Sequence, residues 1–269
     1  MDPKRRQLDD LMCRARDALE CAAPLAPAKR DVAACLGGNE RREDGIPFWE
    51  VETFAADIPC PPPDSDSLPP DRRAPPRGMA ALDTQRAMVI DIETGGFAGT
   101  PVFLIGVVEL GRRPLRVRQW LARDYPEEKA ILRRFAAAAE ERDHWVTFNG
   151  RSFDGPFLQD RCVLHQVPLA APAVHVDVLH AARRAWRGVV PDFRLRTLEQ
   201  HMLGRERIGD VPGADIPDLF HHFVRTGNAA PLAPVLEHNR LDLLATVELF
   251  GRISTAAAGA FRSGPVMMD

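Results

Sequence analysis

The stretch AMVIDIETGGFAGTPVFLIGVVEL (87–110) decides how the chain folds. Its first part, AMVIDIE (87–93), reads as a buried strand interrupted only by acids at 91 and 93. A glycine-rich turn follows, and VFLIGVVEL (102–110) reads as a second strand. GRRP marks a hairpin turn into a third, LRVRQWLA (115–122). Further along, EEKAILRRFAAAAEER (127–142) carries strong helix formers and an apolar stripe at Ile131, Leu132 and Phe135. HWVTFN (144–149) reads as a fourth strand, GPFLQDRCVLHQ (155–166) as a helix, and VHVDVLH (174–180) as a fifth strand. Helices are predicted over 194–203, 216–227 and 232–253. Antiparallel strands, then alternating helix and strand, then helices predict an α/β fold, a mixed sheet flanked by helices on both faces.

The N-terminal third differs. Leu8, Leu11, Met12 and Leu19 predict an amphipathic helix over 5–22, and GIPFWEVETF (45–54) a strand. Residues 59–77 hold eight of the chain's 24 prolines and read as an extended linker. The expected organisation is an extended N-terminal segment over 1–85, an α/β domain over 86–255 and a flexible tail over 256–269.

The whole chain has 269 residues, 45% of them hydrophobic, and a formal net charge of -3. That excludes wholly disordered and collagen-like chains. No stretch reaches the roughly 18 apolar residues of a spanning helix, and MDPKRRQLDD lacks an apolar leader core. The expectation is a cytoplasmic protein without a membrane partner. The near balance of charge gives no global push toward nucleic acid. Arg outnumbers Lys 32 to 3, which suits phosphate binding and equally reflects a GC-rich genome. The cysteines, at 13, 21, 35, 60 and 162, form no CxxC pair, and their spacing favours buried packing over a metal cluster.

Three places hold candidate chemistry. Asp91 and Glu93 stand two apart on a strand and so point to one face. Carboxylates beside a buried strand need compensation from a divalent cation, an Arg or solvent. Asp154, in TFNGRSFDGPFL, read alone is a helix cap. His238 and Asp242, four apart, share a helical face, a pattern common in surface pairs. Taken together, four carboxylates and a histidine make one constellation. Oxygen-rich sites of this kind suit Mg²⁺ or Mn²⁺, and two such ions clamp the oxygens of a phosphoryl transfer. A histidine, with its ordinary pKa near ~6.5, is able to deprotonate the attacking water.

The order Asp-x-Glu, Asn-Gly-x-x-Phe-Asp, His-x-x-x-Asp resembles the DEDD exonucleases of the ribonuclease H-like fold. The resemblance is closer still to the YprB-type (mitomycin repair factor B-like) family. The resemblance is carried, in order, by DIETGGFAGTPVFLIG, TFNGRSFDGPFL, VHVDVLHAARRAW, RLRTLEQHMLGRER and APVLEHNRLDLL, and spans 87–253. It implies a ribonuclease H-like core and a 3′-to-5′ exonuclease acting on the 3′ end of DNA, single-stranded or duplex, in repair. A repair helicase is an implied partner, and association with the nucleoid an implied location. Asp91, Glu93, Asp154 and Asp242 would hold two divalent ions, with His238 as general base. Many histidine-type relatives place that His five residues before the Asp. Here it stands four before, as the Tyr does in tyrosine-type relatives.

Thr94 and Phe97 are candidate contacts to the 3′-terminal nucleotide, with core packing an equal reading of Phe97. Asn149 reads equally as a substrate contact and as a turn residue. Seven Arg lie in 183–207, and Arg196 is the candidate phosphate contact, against plain solvation of the set. Asp177 reads as a structural acceptor. An exoribonuclease with the same site, and a noncatalytic nucleic-acid-binding module of the same fold, are the alternatives.

Overall fold

The computed structural model describes residues 32–55, 79 and 82–262, with side chains described as far as 254. The predicted helix over 5–22, the proline-rich 59–77 and Cys13, Cys21 and Cys60 lie outside the described residues. The described residues open with a short helix α1 (Val32–Leu36) and the hairpin β1 (Asn39–Glu43) and β2 (Ile46–Ala55). Strands β3 (Ala87–Thr94), β4 (Val102–Glu109) and β5 (Leu115–Leu121) follow. Then come helix α2 (Glu128–Glu141), strand β6 (His144–Thr147), helix α3 (Asp154–His165), strand β7 (Val174–Asp177) and helix α4 (Val178–Ala185). A helical turn (Leu195–Leu198) runs into a π-helical turn (Glu199–Leu203), and α5 (Ile216–Thr226) and α6 (Ala233–Arg262) complete the described chain.

The strands form one seven-stranded sheet in the order β1-β2-β5-β4-β3-β6-β7. Strands β3, β4 and β5 are antiparallel, joined through the GRRP turn, while β6 and β7 run parallel to β3. The mixed sheet is thus as expected. The sheet also takes in the N-terminal hairpin, which the sequence places outside the α/β domain. β2 pairs with β5 along Trp49–Ala55, and its adjacent residues Phe48 and Trp49 feed opposite faces, each nearly free of solvent. β1, NERRE, is a charged edge, which protects the sheet from further pairing.

Alternation in β3 divides the core. Met88, Ile90 and Ile92 pack with Ile131, Leu132 and Phe135 of α2 and Leu158 of α3 on one face. Val89 packs on the other, with Val108, Val117 and the α6 residues Leu243 and Val247. A third cluster joins α5 to that second face, with Phe220 stacked on Phe103 at 4.1 Å between ring centres. Full burial of each such side chain is worth about 1.5–3 kcal/mol.

Two expected elements end differently. The strand expected over 174–180 stops at Asp177, because that side chain accepts the Leu179 N–H and caps α4. The last helix continues through the alanine-rich STAAAGAF to Arg262, past the expected end at 253 and into the segment read as a tail.

Candidate active site

Three parallel strands, β3, β6 and β7, end at one edge of the sheet, and such carboxyl ends are the usual ligand crevice of open α/β sheets. Asp91 and Glu93 project from the carboxyl-terminal end of β3 toward the face covered by α6. Asp154 opens α3 after the turn Asn149–Gly150 that leaves β6. Asp242 comes from α6. The fold brings these four carboxyl groups within mutual electrostatic reach.

Their acidities record that crowding. Burial, then the charges of Asp242, Glu93 and Asp154, hold Asp91 well above the ordinary carboxylate range, against a hydrogen bond from Asn239. Burial, then Asp242, Asp154 and Asp210, do the same to Glu93. Burial pushes Asp154 up to about 7, although its own backbone and that of Ile92 hydrogen-bond its carboxylate, while Asp177 and Asp242 add repulsion. Burial raises Asp242 too, despite Arg207 and His238 beside it.

The local backbone explains how Asp154 arrives. Asn149 sits in the left-handed region at φ 62, and its N–H donates to Asp177 Oδ1 at 3.0 Å. A Cβ on Gly150 would meet Thr147 at 2.5 Å and Asp154 Oδ2 at 2.7 Å, so only glycine lets the chain turn this close to the carboxylate. Asp177, accepting from Asn149, Arg151 and Leu179, is the structural acceptor expected of it.

A row across the sheet sets Asp91. Asp91, Gly106 and Gln119 are register partners on β3, β4 and β5. Asn239 of α6 lies on that row. Its Nδ2 donates to Asp91 Oδ2 at 2.7 Å, and its Oδ1 accepts from Gln119 at 2.8 Å. A Cβ on Gly106 would lie 2.2 Å from Asn239 Oδ1, so the glycine is what admits the asparagine.

The loop after the π-helical turn delivers two further groups. Arg207 Nη1 lies 2.6 Å from Asp242 Oδ1 and 3.2 Å from Asp210 Oδ2, and its Nε 2.8 Å from Glu199 Oε2. His238 Nδ1 lies 2.8 Å from Asp210 Oδ1, and Nε2 is 3.7 Å from Asp242 Oδ2. Burial works against the Asp210 charge, but the hydrogen bonds and charges of His238 and Arg207 prevail and hold it below the ordinary range.

The other predicted residues divide. Thr94 is buried and its hydroxyl donates to Gly96 O at 2.9 Å, which braces the glycine turn. Phe97 is 83% exposed, so its core reading falls: the turn throws the ring outward. Asn149 is exposed on the turn it makes. Arg196 is exposed and lines a cleft with Glu199, Gln200, Arg205, Glu206 and Arg207. Arg207 departs from the solvated reading of the Arg set, because its side chain is 5% exposed among three carboxylates. Cys162 is buried, and burial first and Glu128 second push its thiol up to about 12, as packing cysteines require.

Sequence reasoning missed Arg207 as a buried partner, Asp210 and Asn239. Asn239 had a signal: it stands on the apolar stripe of α6 with Leu236 and Leu243. Asp210, in an irregular loop, had none.

Among the described residues, no three His, Cys, Asp or Glu side chains already surround an ion-sized point. Asp242 is paired with Arg207 and Asp91 with Asn239 instead. The donor set still fits hard divalent cations, because all four carboxyl groups are buried together, are held above the ordinary carboxylate range, and offer only oxygen.

A mixed sheet flanked by helices, with acids gathered at the ends of its parallel strands, defines a ribonuclease H-like protein. The RNase_H superfamily model matches residues 88–254, and the chain belongs to that superfamily, whose members are typically nucleases. Within it the chain resembles YprB. It is 33% identical over 169 residues to the uncharacterized protein YprB of Bacillus subtilis strain 168, covering 61% of this chain and 41% of that protein. The chain therefore spans less than half of that relative. A family B DNA polymerase from the hyperthermophilic archaeon Pyrobaculum calidifontis aligns with a TM-score of 0.49 and 17% identity, over 60% of this chain and 23% of the polymerase. No helix among the described residues is long and apolar enough to cross a membrane.

Proposed function

We propose that the chain is a metal-dependent 3′-to-5′ exonuclease of the DEDD type that hydrolyses DNA, with a role in repair. One observation carries the reading. Four acids from three separate segments are packed close enough to hold one another's protons, an arrangement that costs stability unless cations offset it. Asp91, Glu93, Asp154 and Asp242 hold two Mg²⁺ or Mn²⁺ ions. When bound, these supply charge stabilisation for the attacking and leaving oxygens of phosphodiester hydrolysis.

The chain's own residues do the rest. His238 accepts a proton from the attacking water at Nε2, the ring nitrogen that faces Asp242. Asn239 fixes Asp91, and the Asn149–Gly150 turn fixes Asp154. Phe97, exposed beside the glycine turn that Thr94 braces, and Phe153, 45% exposed beside Asp154, offer ring faces for terminal bases. Asn149, exposed on its turn, hydrogen-bonds the substrate, and Arg196 on the cleft rim takes phosphate.

The test is the purified chain with Mg²⁺ or Mn²⁺ on 3′- and 5′-labelled single- and double-stranded DNA and RNA. Stepwise loss of 3′ nucleotides from DNA, abolished by EDTA, is the expected result. No loss with either metal, or cleavage undiminished in EDTA, overturns the reading.

A further inference from the structure

The residue that turns His238 toward the site lies outside every motif quoted above. We propose that Asp210 is a positioning residue: anchored by Arg207, it fixes His238 as the Nδ1–H tautomer, with Nε2 left free to face Asp242. The inference rests on the reading of His238 as general base.

The geometry leaves little choice. An ionised carboxylate only accepts hydrogen bonds, so at 2.8 Å from Asp210 Oδ1 the His238 Nδ1 must donate. Asp210 is ionised there, being held below the ordinary range by His238 and Arg207. Its side chain is 3% exposed and His238's is 15%, so water competes little for this bond. With Nδ1 committed, the lone pair resides on Nε2. That nitrogen is 3.7 Å from Asp242 Oδ2, too long for a direct hydrogen bond, so it remains available to a water. Gly209, at φ 73, is what lets the loop bring both Arg207 and Asp210 inward while Ile208 between them is 96% exposed.

Arg207 makes the arrangement directional, and this yields a sharp test. In Asp210→Asn, one side-chain atom must face Arg207, which only donates. The amide oxygen takes that place, where Oδ2 now stands 3.2 Å from Nη1. The NH₂ then faces His238 Nδ1 and donates to it, which moves the ring proton to Nε2. A nearly isosteric change should therefore invert the tautomer and leave the fold intact.

The experiment has two arms on the full chain. Long-range ¹⁵N–¹H correlation of the imidazoles in the metal-free protein, recorded across alkaline pH, reads the tautomer; His238→Ala assigns the signals. Wild type should show Nδ1–H and Asp210→Asn should show Nε2–H. Wild type showing Nε2–H, or an unchanged ring in the variant, overturns the proposal. Single-turnover release of 3′ nucleotides from labelled single-stranded DNA with Mn²⁺ reads the consequence. Asp210→Asn should slow release by about 10²-fold or more, the worth of a positioned base. It should add nothing in a His238→Ala background. Release at the wild-type rate, or an equal further loss in that background, also overturns it. If wild type itself releases nothing, the exonuclease reading fails while the spectra still judge the Asp210–His238 pair.

Discussion

His238 and Asp242 share one turn of α6, yet their variants should part. His238→Ala keeps every carboxylate, so Mn²⁺ affinity by calorimetry should hold while single-turnover cleavage slows by about 10²–10⁴. Asp242→Asn removes an oxygen donor and the partner of Arg207, so Mn²⁺ binding itself should weaken. Equal loss of metal affinity in both would show that the histidine is a ligand rather than a base. At this scale the sequence was informative where residues sit at a period. Asp91 and Glu93 share a face because a strand repeats every two residues, and His238 and Asp242 because a helix repeats near four. It offered Arg207 only as one of a set of seven and said nothing of Asp210, both of which reach the site from a loop with no period at all. Their placement depends on left-handed glycines at 204 and 209 and on the π-helical turn before them.

The element with the largest difference between sequence and structure is the β1–β2 hairpin. The strand expected over 45–54 forms as Ile46–Ala55, but its attachment was not legible. Pairing with β5 joins residues some 65 positions apart, and nothing local specifies it. Phe48, 1% exposed, packs in the same cluster as Trp120 and Phe135, and Trp120 Nε1 donates to Glu50 Oε1 at 3.1 Å. Phe48→Ala should therefore cost about 3–5 kcal/mol in urea unfolding, as a core phenylalanine does. A loss below ~1 kcal/mol would show a hairpin that merely rests on the sheet.

Across the whole molecule, the crowded acids tie stability to pH and to metal. Asp154 binds its proton more tightly folded, at about 7, than at its ordinary 3.8. Between those values the folded state holds more protons than the unfolded state, so this group's contribution to stability falls as pH rises, then levels off above about 7. Asp91 and Glu93 are raised in the same direction. The metal-free melting temperature of wild type should drop from mildly acidic pH to pH ~8, and Asp154→Asn should flatten that drop. Mn²⁺ should raise the melting temperature more at pH ~8 than at pH ~6, because ions and protons compete for the same oxygens. A melting temperature indifferent to Mn²⁺ at the higher pH would remove the metal from the mechanism.

Gly106 has a consequence for how this chain varies among its kin. Asn239 occupies the space a Cβ at 106 would need, and a methyl there would meet its oxygen at 2.2 Å and Leu243 at 2.7 Å. Positions 106 and 239 are therefore not free to drift separately. A relative with alanine or a larger residue at the first should carry a smaller one at the second, and its counterpart of Asp91 must then find another donor or go without. An alignment deep enough to show covariation should pair these two columns across 132 intervening positions, and a homologue pairing a bulky residue at the first with asparagine at the second would contradict it.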